Sequence, residues 1–412
     1  MWKGMVIIMK KIAVLGYGTV GSGVVDLFEI NAASVAKKAG EPIEVKYIVD
    51  IRDFSGDKNA AKFVKDFSVV ENDPEISVVV ETIGGTNPAY DFTKRALLAG
   101  KSVVTSNKEL VAKHGAEFLQ IAKENNVNYL FEASVGGGIP VLRPIAQCLA
   151  ANEIDEIYGI LNGTTNYILT RMIKAGLTFE KALSEAQAMG YAERDPSADI
   201  EGHDACRKIC ILASLAFGRH IYPDFVRAEG ITKVTLDDVR LAGKTDMVIR
   251  LLGRTKLAAD GKVFAYVGPH LVPKSSPIAS VEDVFNGIMV HGNMVGDTMF
   301  YGPGAGKYPT ASAVSADVID AVVHADKRRD IGWEDAGSEV VADMAQFVSK
   351  YYVRIEGESA RSAATQSFKN IEFIDDSHAV AFITAEMTEA EFEKGLAALS
   401  ERSEVLSQMR VL

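Results

Sequence analysis

Lys11-Ile12-Ala13-Val14-Leu15-Gly16-Tyr17-Gly18-Thr19-Val20-Gly21 is the stretch that decides the fold. An apolar run leads into a GxGxxG turn, and Thr19–Ile30 continues with helical periodicity. Strand, glycine turn and helix together are the setting in which this motif binds a dinucleotide. Gly16 permits the tight turn, Gly18 lets a pyrophosphate approach the backbone, and Gly21 lets the helix lie close on its strand. The helix start at Thr19 and Val20 offers N–H donors to the anion. The plain alternative is a glycine turn that binds nothing.

Working outward, strand-like runs recur at Lys11–Gly16, Val45–Asp50, Ser77–Thr82, Ser102–Ser106 and Val127–Phe131. Helical patterns at Thr19–Ile30, Asn87–Ala99 and Glu109–Asn125 lie between them. Several strands are almost wholly apolar, as strands covered on both faces must be. The alternation predicts an α/β fold, a Rossmann-type doubly wound parallel sheet. After Gly136 come helices at Pro140–Ala150, Thr164–Ala175, Phe179–Met189 and His203–Phe217. Strands follow at Asp246–Leu257, Lys262–Val272, Gly287–Gly292 and Asp297–Tyr301, which predicts an α+β domain. A small tail carries strands at Tyr351–Ile355, Asn370–Ile374, Ala379–Thr384 and Glu404–Arg410 and a helix at Glu389–Ser400. The expected domains are 1–135, completed by the helix within 308–330; 136–307, for substrate binding, catalysis and dimerisation; and 345–412. Arg328–Asp343 reads as a polar linker.

The chain has 412 residues, 48% of them hydrophobic, so it can bury a large core without disulfides or structural metals. Its 44 Lys plus Arg against 55 Asp plus Glu give a net charge of −11, which argues against a nucleic-acid partner. No apolar run approaches the length of a membrane span. The opening Met1–Gly16 has too short an apolar stretch and no cleavage site for a signal peptide, and Met9 is a candidate second start. Cys148, Cys206 and Cys210 match no zinc spacing and read as buried free thiols in a reducing cytoplasm.

Several motifs carry chemistry. Asp50 and Arg52 follow the second strand: an acid there suits a free ribose 2′-hydroxyl and an arginine a 2′-phosphate, so NAD and NADP both stay open, with Arg52 favouring NADP. Glu81–Gly85, including Gly84, and Thr105–Lys108, including Ser106, follow strands whose C-terminal ends border the ligand crevice. Lys108 is placed there to meet a substrate carbonyl or the cofactor, unless it is a solvated loop charge. Glu193, Asp199, Asp204 and Lys208 cluster around an apolar helix. Asp204 and Lys208 are four apart and share a face. That is either an ordinary surface pair or, on a helix this apolar, the wall of a substrate cleft. His203 reads as a satisfied structural histidine. Asn162–Asn166 places an amide and hydroxyls at a helix start, an N-cap. Glu132–Pro140 is a glycine-rich hinge whose carbonyls, with one carboxylate, suit a hard monovalent cation. Gly302–Gly306 is a second glycine-rich loop before a helix.

The combination of GYGTVGSGV, VVETIGG, TSNKELVA, FEASVGGGIP, LNGTTNYIL, GYAERDPSADIEGHDACRKICILA and YGPGAGKYPTASAVSAD resembles homoserine dehydrogenase, in that family's order, over about residues 11–325. The resemblance implies that Lys208 is the catalytic acid/base and Lys108 a second active-site lysine touching cofactor and substrate. It implies that Glu193 and Asp204 bind substrate, with Asp199 a supporting acid. It places a sodium or potassium ion at Glu132 and the carbonyls of Val135, Gly137 and Ile139. It adds Gly190 and Gly306 as cofactor-contacting glycines and links Arg52 to NADP. The tail resembles an ACT regulatory domain, but its first loop, Glu356-Gly357-Glu358-Ser359-Ala360, lacks the Pro-Gly of an amino-acid effector site. Weak or absent inhibition by threonine is therefore expected.

The implied function is reversible NAD(P)H-dependent reduction of L-aspartate 4-semialdehyde to L-homoserine, in threonine, methionine and isoleucine biosynthesis. A homodimer or larger homo-oligomer is expected, with no membrane partner. Two alternatives remain: a Rossmann oxidoreductase for another amino-acid aldehyde, and a nicotinamide-sensing regulator without turnover. The intact set of Lys108, Lys208 and Glu193 disfavours the second.

Overall fold

Ile12, Ala13, Val14 and Leu15 are fully buried, and each branched side chain among them contributes roughly 1.5–3 kcal/mol by leaving water. They form the centre of β1 (Lys10–Leu15) in a computed structural model that describes residues 9–328, 330–357, 359–375 and 380–412. β1 pairs in parallel with β2 (Ile43–Val49) on one side and β4 (Ile76–Glu81) on the other. With β3 (Phe63–Val64), β5 (Ser102–Thr105) and β6 (Tyr129–Leu130) the sheet order is β3-β2-β1-β4-β5-β6, the doubly wound order. The chain forms two compact units, and this sheet belongs to the first: residues 1–151, 214–222 and 302–337.

The helix Lys307–Val323 belongs to the same unit. Ala311, Val314 and Val318 join Val24, Val25 and Phe28 of the Thr19–Ile30 helix in one core. Small residues allow this close approach: a Cβ at Gly23 would lie 3.0 Å from that of Ala311. The polar segment after it is not a bare linker. Trp333 is buried, and its indole N–H donates to His220 Nδ1 at 3.0 Å.

The second unit comprises residues 152–213, 223–301 and 338–412. Its strands are β7 (Ile154–Ile160), β8 (Arg227–Ala228), β9 (Met247–Leu257), β10 (Val263–Pro273), β11 (Phe285–Gly292) and β12 (Gly296–Pro303). The tail adds β13 (Val348–Glu356), β14 (Glu372–Asp375), β15 (Val380–Ile383), β16 (Met387–Thr388) and β17 (Glu404–Val411). All eleven belong to one sheet: nine run in the order β12-β11-β7-β9-β10-β17-β13-β15-β14, with β8 paired to β10 and β16 to β13 beside that path. β17 is the hinge of this arrangement: it pairs in parallel with β10 and antiparallel with β13. The tail sheet thus continues the sheet before it.

Some expectations give way to the structure. Pro140–Ala150 is reduced to a five-residue π-helical turn, Pro144–Cys148, because Pro144 cannot donate to a helical ladder. β7 is a central strand hidden from the sequence by Asp155 and Glu156, which break its alternation. Helices Ala32–Ala39, Leu236–Lys244 and Ala360–Ser367 are additional. Cys206 and Cys210 are buried, but Cys148 is exposed. His203 is an exposed residue whose Nε2 lies 3.3 Å from a Glu201 oxygen, not a core histidine. Glu358 and Ala379 lie outside the described residues. Among the described residues no helix is long and apolar enough to cross a membrane.

Candidate active site

The glycine turn has the backbone geometry that its three expected tasks require. Gly16 has φ +86°, a conformation side chains avoid. A Cβ on Gly21 would stand 1.9 Å from the Gly16 carbonyl oxygen, so only glycine fits there. Around Gly18 a Cβ would meet nothing within 4 Å, which leaves room for a phosphate at the start of the Thr19–Ile30 helix. That helix start has no side-chain cap, so its first N–H groups are not taken by Gly18 itself. The residues present therefore fit a dinucleotide pyrophosphate.

At the end of β2 the Asp50 carboxylate is already engaged. It accepts the Tyr17 N–H at 2.8 Å, the Arg52 N–H at 3.0 Å, and Arg52 Nε and Nη2 at 3.0 and 2.7 Å. The Arg52 hydrogen bonds hold Asp50 well below the usual carboxylate range. Arg52 remains exposed, with its guanidinium over the Phe54 ring at 5.1 Å. An acid so engaged is a weakened partner for a ribose hydroxyl, whereas an exposed guanidinium suits a phosphate.

Gly84, Ser106 and Lys108 lie on the loops after β4 and β5, and Lys108 is the first residue of the Lys108–Glu124 helix. Asn107 caps that helix, accepting the Leu110 N–H at 3.1 Å. Gly306 immediately precedes the Lys307–Val323 helix.

The hinge behaves differently from a bare ligand loop. Glu132 is buried, and its carboxylate accepts the N–H groups of Val141, Leu142 and Arg143 at 2.6, 2.8 and 2.7 Å. Arg143 also pairs with Asp317, which accepts the Glu132 N–H at 2.8 Å. Burial, with Glu132 nearby, pushes Asp317 up to about 7. Val135, Gly137 and Ile139 are buried in the same segment, where Gly137 lies against Gly304. Backbone carbonyls are oxygen donors, the type a hard cation takes. Among the described residues there is no group of three or more His, Cys, Asp or Glu able to hold a metal.

The His203–Phe217 helix, in the second unit as far as Ala213, lies close on β9, where a Cβ at Gly253 would be 3.1 Å from that of Ile209. Asp204 and Lys208 are buried on it, 3% and 8% exposed. Lys208 Nζ donates to Asp204 Oδ2 at 2.8 Å and to the Leu161 carbonyl at 2.7 Å. Asn162 then links two acids: its Nδ2 donates to Asp204 Oδ2 at 2.8 Å and to Asp199 Oδ1 at 2.7 Å. Its Oδ1 caps the Gly163–Ala175 helix through the Thr165 N–H at 2.9 Å, which fixes the amide's orientation. Burial and the neighbouring Asp204 charge raise Asp199 above its ordinary value. The structure therefore unites Asp199, Asp204 and Lys208 around Asn162, an organiser that sequence reasoning recognised only as a cap. Glu193 and Gly190 lie on the loop before Asp195, with Glu193 exposed and its carbonyl bonded to Gln187 Nε2 at 3.0 Å. Among the described residues Glu193 stands outside the bonded cluster.

The comparisons with known proteins agree with this geometry. A family model described as the homoserine dehydrogenase NAD-binding domain matches residues 16–132, and the homoserine dehydrogenase model matches residues 140–319. The chain belongs to the homoserine dehydrogenase family. It is accordingly an NAD(P)-dependent oxidoreductase of amino-acid biosynthesis. A homoserine dehydrogenase of Pseudomonas aeruginosa is 45% identical over 313 residues, 76% of this chain and 72% of that one. One from Bacillus subtilis is 40% identical over 315 residues, 75% and 72% of the two chains. The solved Thiobacillus denitrificans homoserine dehydrogenase has a TM-score of 0.89 at 33% identity and covers 98% of each chain. A hyperthermophilic archaeal homoserine dehydrogenase solved with NADPH matches 76% of this chain and 98% of its own, with a TM-score of 0.65 at 28% identity.

Proposed function

We propose that this chain interconverts L-aspartate 4-semialdehyde and L-homoserine with NADP(H). The bonded set Asn162–Asp199–Asp204–Lys208 is the observation that carries this reading. Reduction of an aldehyde needs hydride at carbon and a proton at oxygen. The hydride is the chemistry a bound reduced nicotinamide supplies. The proton goes from the Lys208 ammonium to the developing alkoxide, directly or through one water, and Lys108 adds positive charge. Asp204 keeps Lys208 Nζ in place, and Asp199 is oriented by the same amide. The substrate's ammonium is held by Asp204 and Glu193, with Glu193 brought in from its exposed loop.

The proposed nucleotide contacts are Gly16, Gly18, Thr19, Val20, Gly21, Gly84, Ser106, Lys108, Gly190 and Gly306, with Arg52 selecting NADP through its exposed guanidinium. A sodium or potassium ion held by Val135, Gly137 and Ile139 carbonyls, with Glu132 as the anionic member, would rigidify the hinge. The βαββαβ tail, with sheet order β17-β13-β15-β14, supports an ACT-like module. Exposed Phe285 on β11, Met294 and Val295 in the turn that follows it, and Tyr301 on the edge strand β12 support a homodimer, because apolar edges call for cover. Free thiols fit a cytoplasmic setting.

Purified protein should reduce NADP⁺ only when L-homoserine is added, followed by nicotinamide absorbance. Cofactor binding without any turnover would favour a sensor and end this reading.

A further inference from the structure

Glu81 closes β4 with no solvent exposure, and neither Lys nor Arg accompanies it in a hydrogen bond among the described residues. A buried carboxylate of this kind is costly unless its oxygens are fully used. Here they are used on the two loops that follow adjacent strands. Oε1 accepts the Ile83 N–H at 2.7 Å, and Oε2 accepts the Thr105 hydroxyl at 2.6 Å. The chain of bonds continues: Thr105 Oγ1 accepts the Asn107 N–H at 2.9 Å, and Asn107 Nδ2 donates to the Gly85 carbonyl at 2.6 Å. Asn107 Oδ1 meanwhile caps the helix that opens at Lys108. The same region touches the dinucleotide turn, since Thr82 Oγ1 lies 2.9 Å from the Leu15 and Gly16 carbonyl oxygens. Burial raises Glu81 above its ordinary value, and these donors oppose the shift.

We propose that Glu81 is a positioning residue for the cofactor site: through one buried hydrogen-bond circuit it fixes the 82–85 and 105–108 loops, which present Gly84, Ser106 and Lys108. The inference rests on the reading of those loops as cofactor-binding. A carboxylate is required because both of its oxygens must accept. Glutamine offers one acceptor, and its NH₂ would face either the Ile83 N–H or the Thr105 hydroxyl. Thr105 already accepts from Asn107, so its own proton needs Glu81. The circuit couples the ends of β4 and β5 to the start of the Lys108 helix, so a break at either loop displaces both.

The test compares Glu81→Gln, Thr105→Val and Thr105→Ser in the full chain. NADPH affinity is read by nicotinamide fluorescence, together with kcat, KM and the thermal midpoint. Glu81→Gln and Thr105→Val should weaken NADPH by about tenfold or more and lower kcat, because small misplacement of reacting groups costs about a hundredfold. KM for homoserine should stay within about twofold, the signature of a loss confined to the cofactor side. Thr105→Ser, which keeps the hydroxyl, should behave as the parent does. Unchanged NADPH affinity and kcat in Glu81→Gln and Thr105→Val would overturn the proposal, as would equal losses in Thr105→Ser and Thr105→Val. If Glu81→Gln does not fold, the two Thr105 variants decide. A parent protein that neither binds NADPH nor oxidises homoserine would instead overturn the functional reading itself.

Discussion

In the proposed mechanism the chemistry concentrates at Lys208. Lys208→Ala should lower kcat by about 10²–10⁴, the range for losing a general acid/base, with NADPH binding retained. Steady-state rates and a fluorescence titration check both halves, and near-parental turnover would remove Lys208 from the mechanism. Arg52→Ala should weaken NADP⁺ far more than NAD⁺, because a guanidinium can grip the extra phosphate bidentately. Equal losses of KM for the two cofactors would reduce Arg52 to the salt bridge it makes with Asp50. Asp204 and Lys208 were legible because they lie four apart on an apolar helix. Asn162 was not, since an amide at a helix start is fully explained as a cap until its other end is seen between two acids. Glu81 belongs to the Glu81–Gly85 motif but carries no sequence signal of its own. A lone acid after an apolar strand reads as the strand's end, and only three-dimensional pairing shows which loops it holds.

At the scale of elements, the glycine turn separates two physical roles that one motif combines. Gly21→Ala puts a methyl where 1.9 Å separates it from the Gly16 carbonyl, and overpacking of that kind costs about 1–3 kcal/mol. Its thermal midpoint should fall along with NADPH affinity. Gly18→Ala has open space around it, so the midpoint should hold while NADPH affinity drops. Calorimetry beside a binding titration distinguishes them, and a stability loss at Gly18 would contradict the assignment. The sequence places the Thr19–Ile30, His203–Phe217 and Glu389–Ser400 helices at their observed bounds; only the last carries a clear end signal, the Thr388–Glu391 capping box. β7 escaped because Asp155 and Glu156 interrupt it near its start, so neither alternation nor a pure apolar run marks it. Gly159 in that strand is forced by its neighbour: a Cβ would lie 2.7 Å from the Gly287 carbonyl.

Across the whole molecule, the tail is held by a charged joint within the second unit. Arg410 of β17 is buried and donates from Nη2 to both Glu389 oxygens at 2.8 Å, with its guanidinium 4.5 Å from the Tyr266 ring centre on β10. Arg410→Ala leaves the buried Glu389 with Arg227 alone, at 2.8 Å, so the loss should fall below the about 3–5 kcal/mol of a buried pair broken outright. A markedly lower denaturation midpoint is expected, and an unchanged one would mean the tail is only loosely attached. Sequence showed the tail's strands but not that β17 would be inserted between β10 and β13, because long-range parallel pairing leaves no local pattern. Feedback is a separate matter. Glu356 and Gly357 stand where a Pro-Gly loop would present N–H groups to an effector carboxylate, so millimolar threonine should lower initial rates weakly or not at all. Saturable inhibition would show a working sensor. The central claim is the reaction itself. It is tested most directly by incubating the purified protein with NADPH and L-aspartate 4-semialdehyde and identifying the product chromatographically. The account predicts L-homoserine formed mole for mole with NADPH consumed, whereas NADPH left intact, or consumed without L-homoserine appearing, would contradict it.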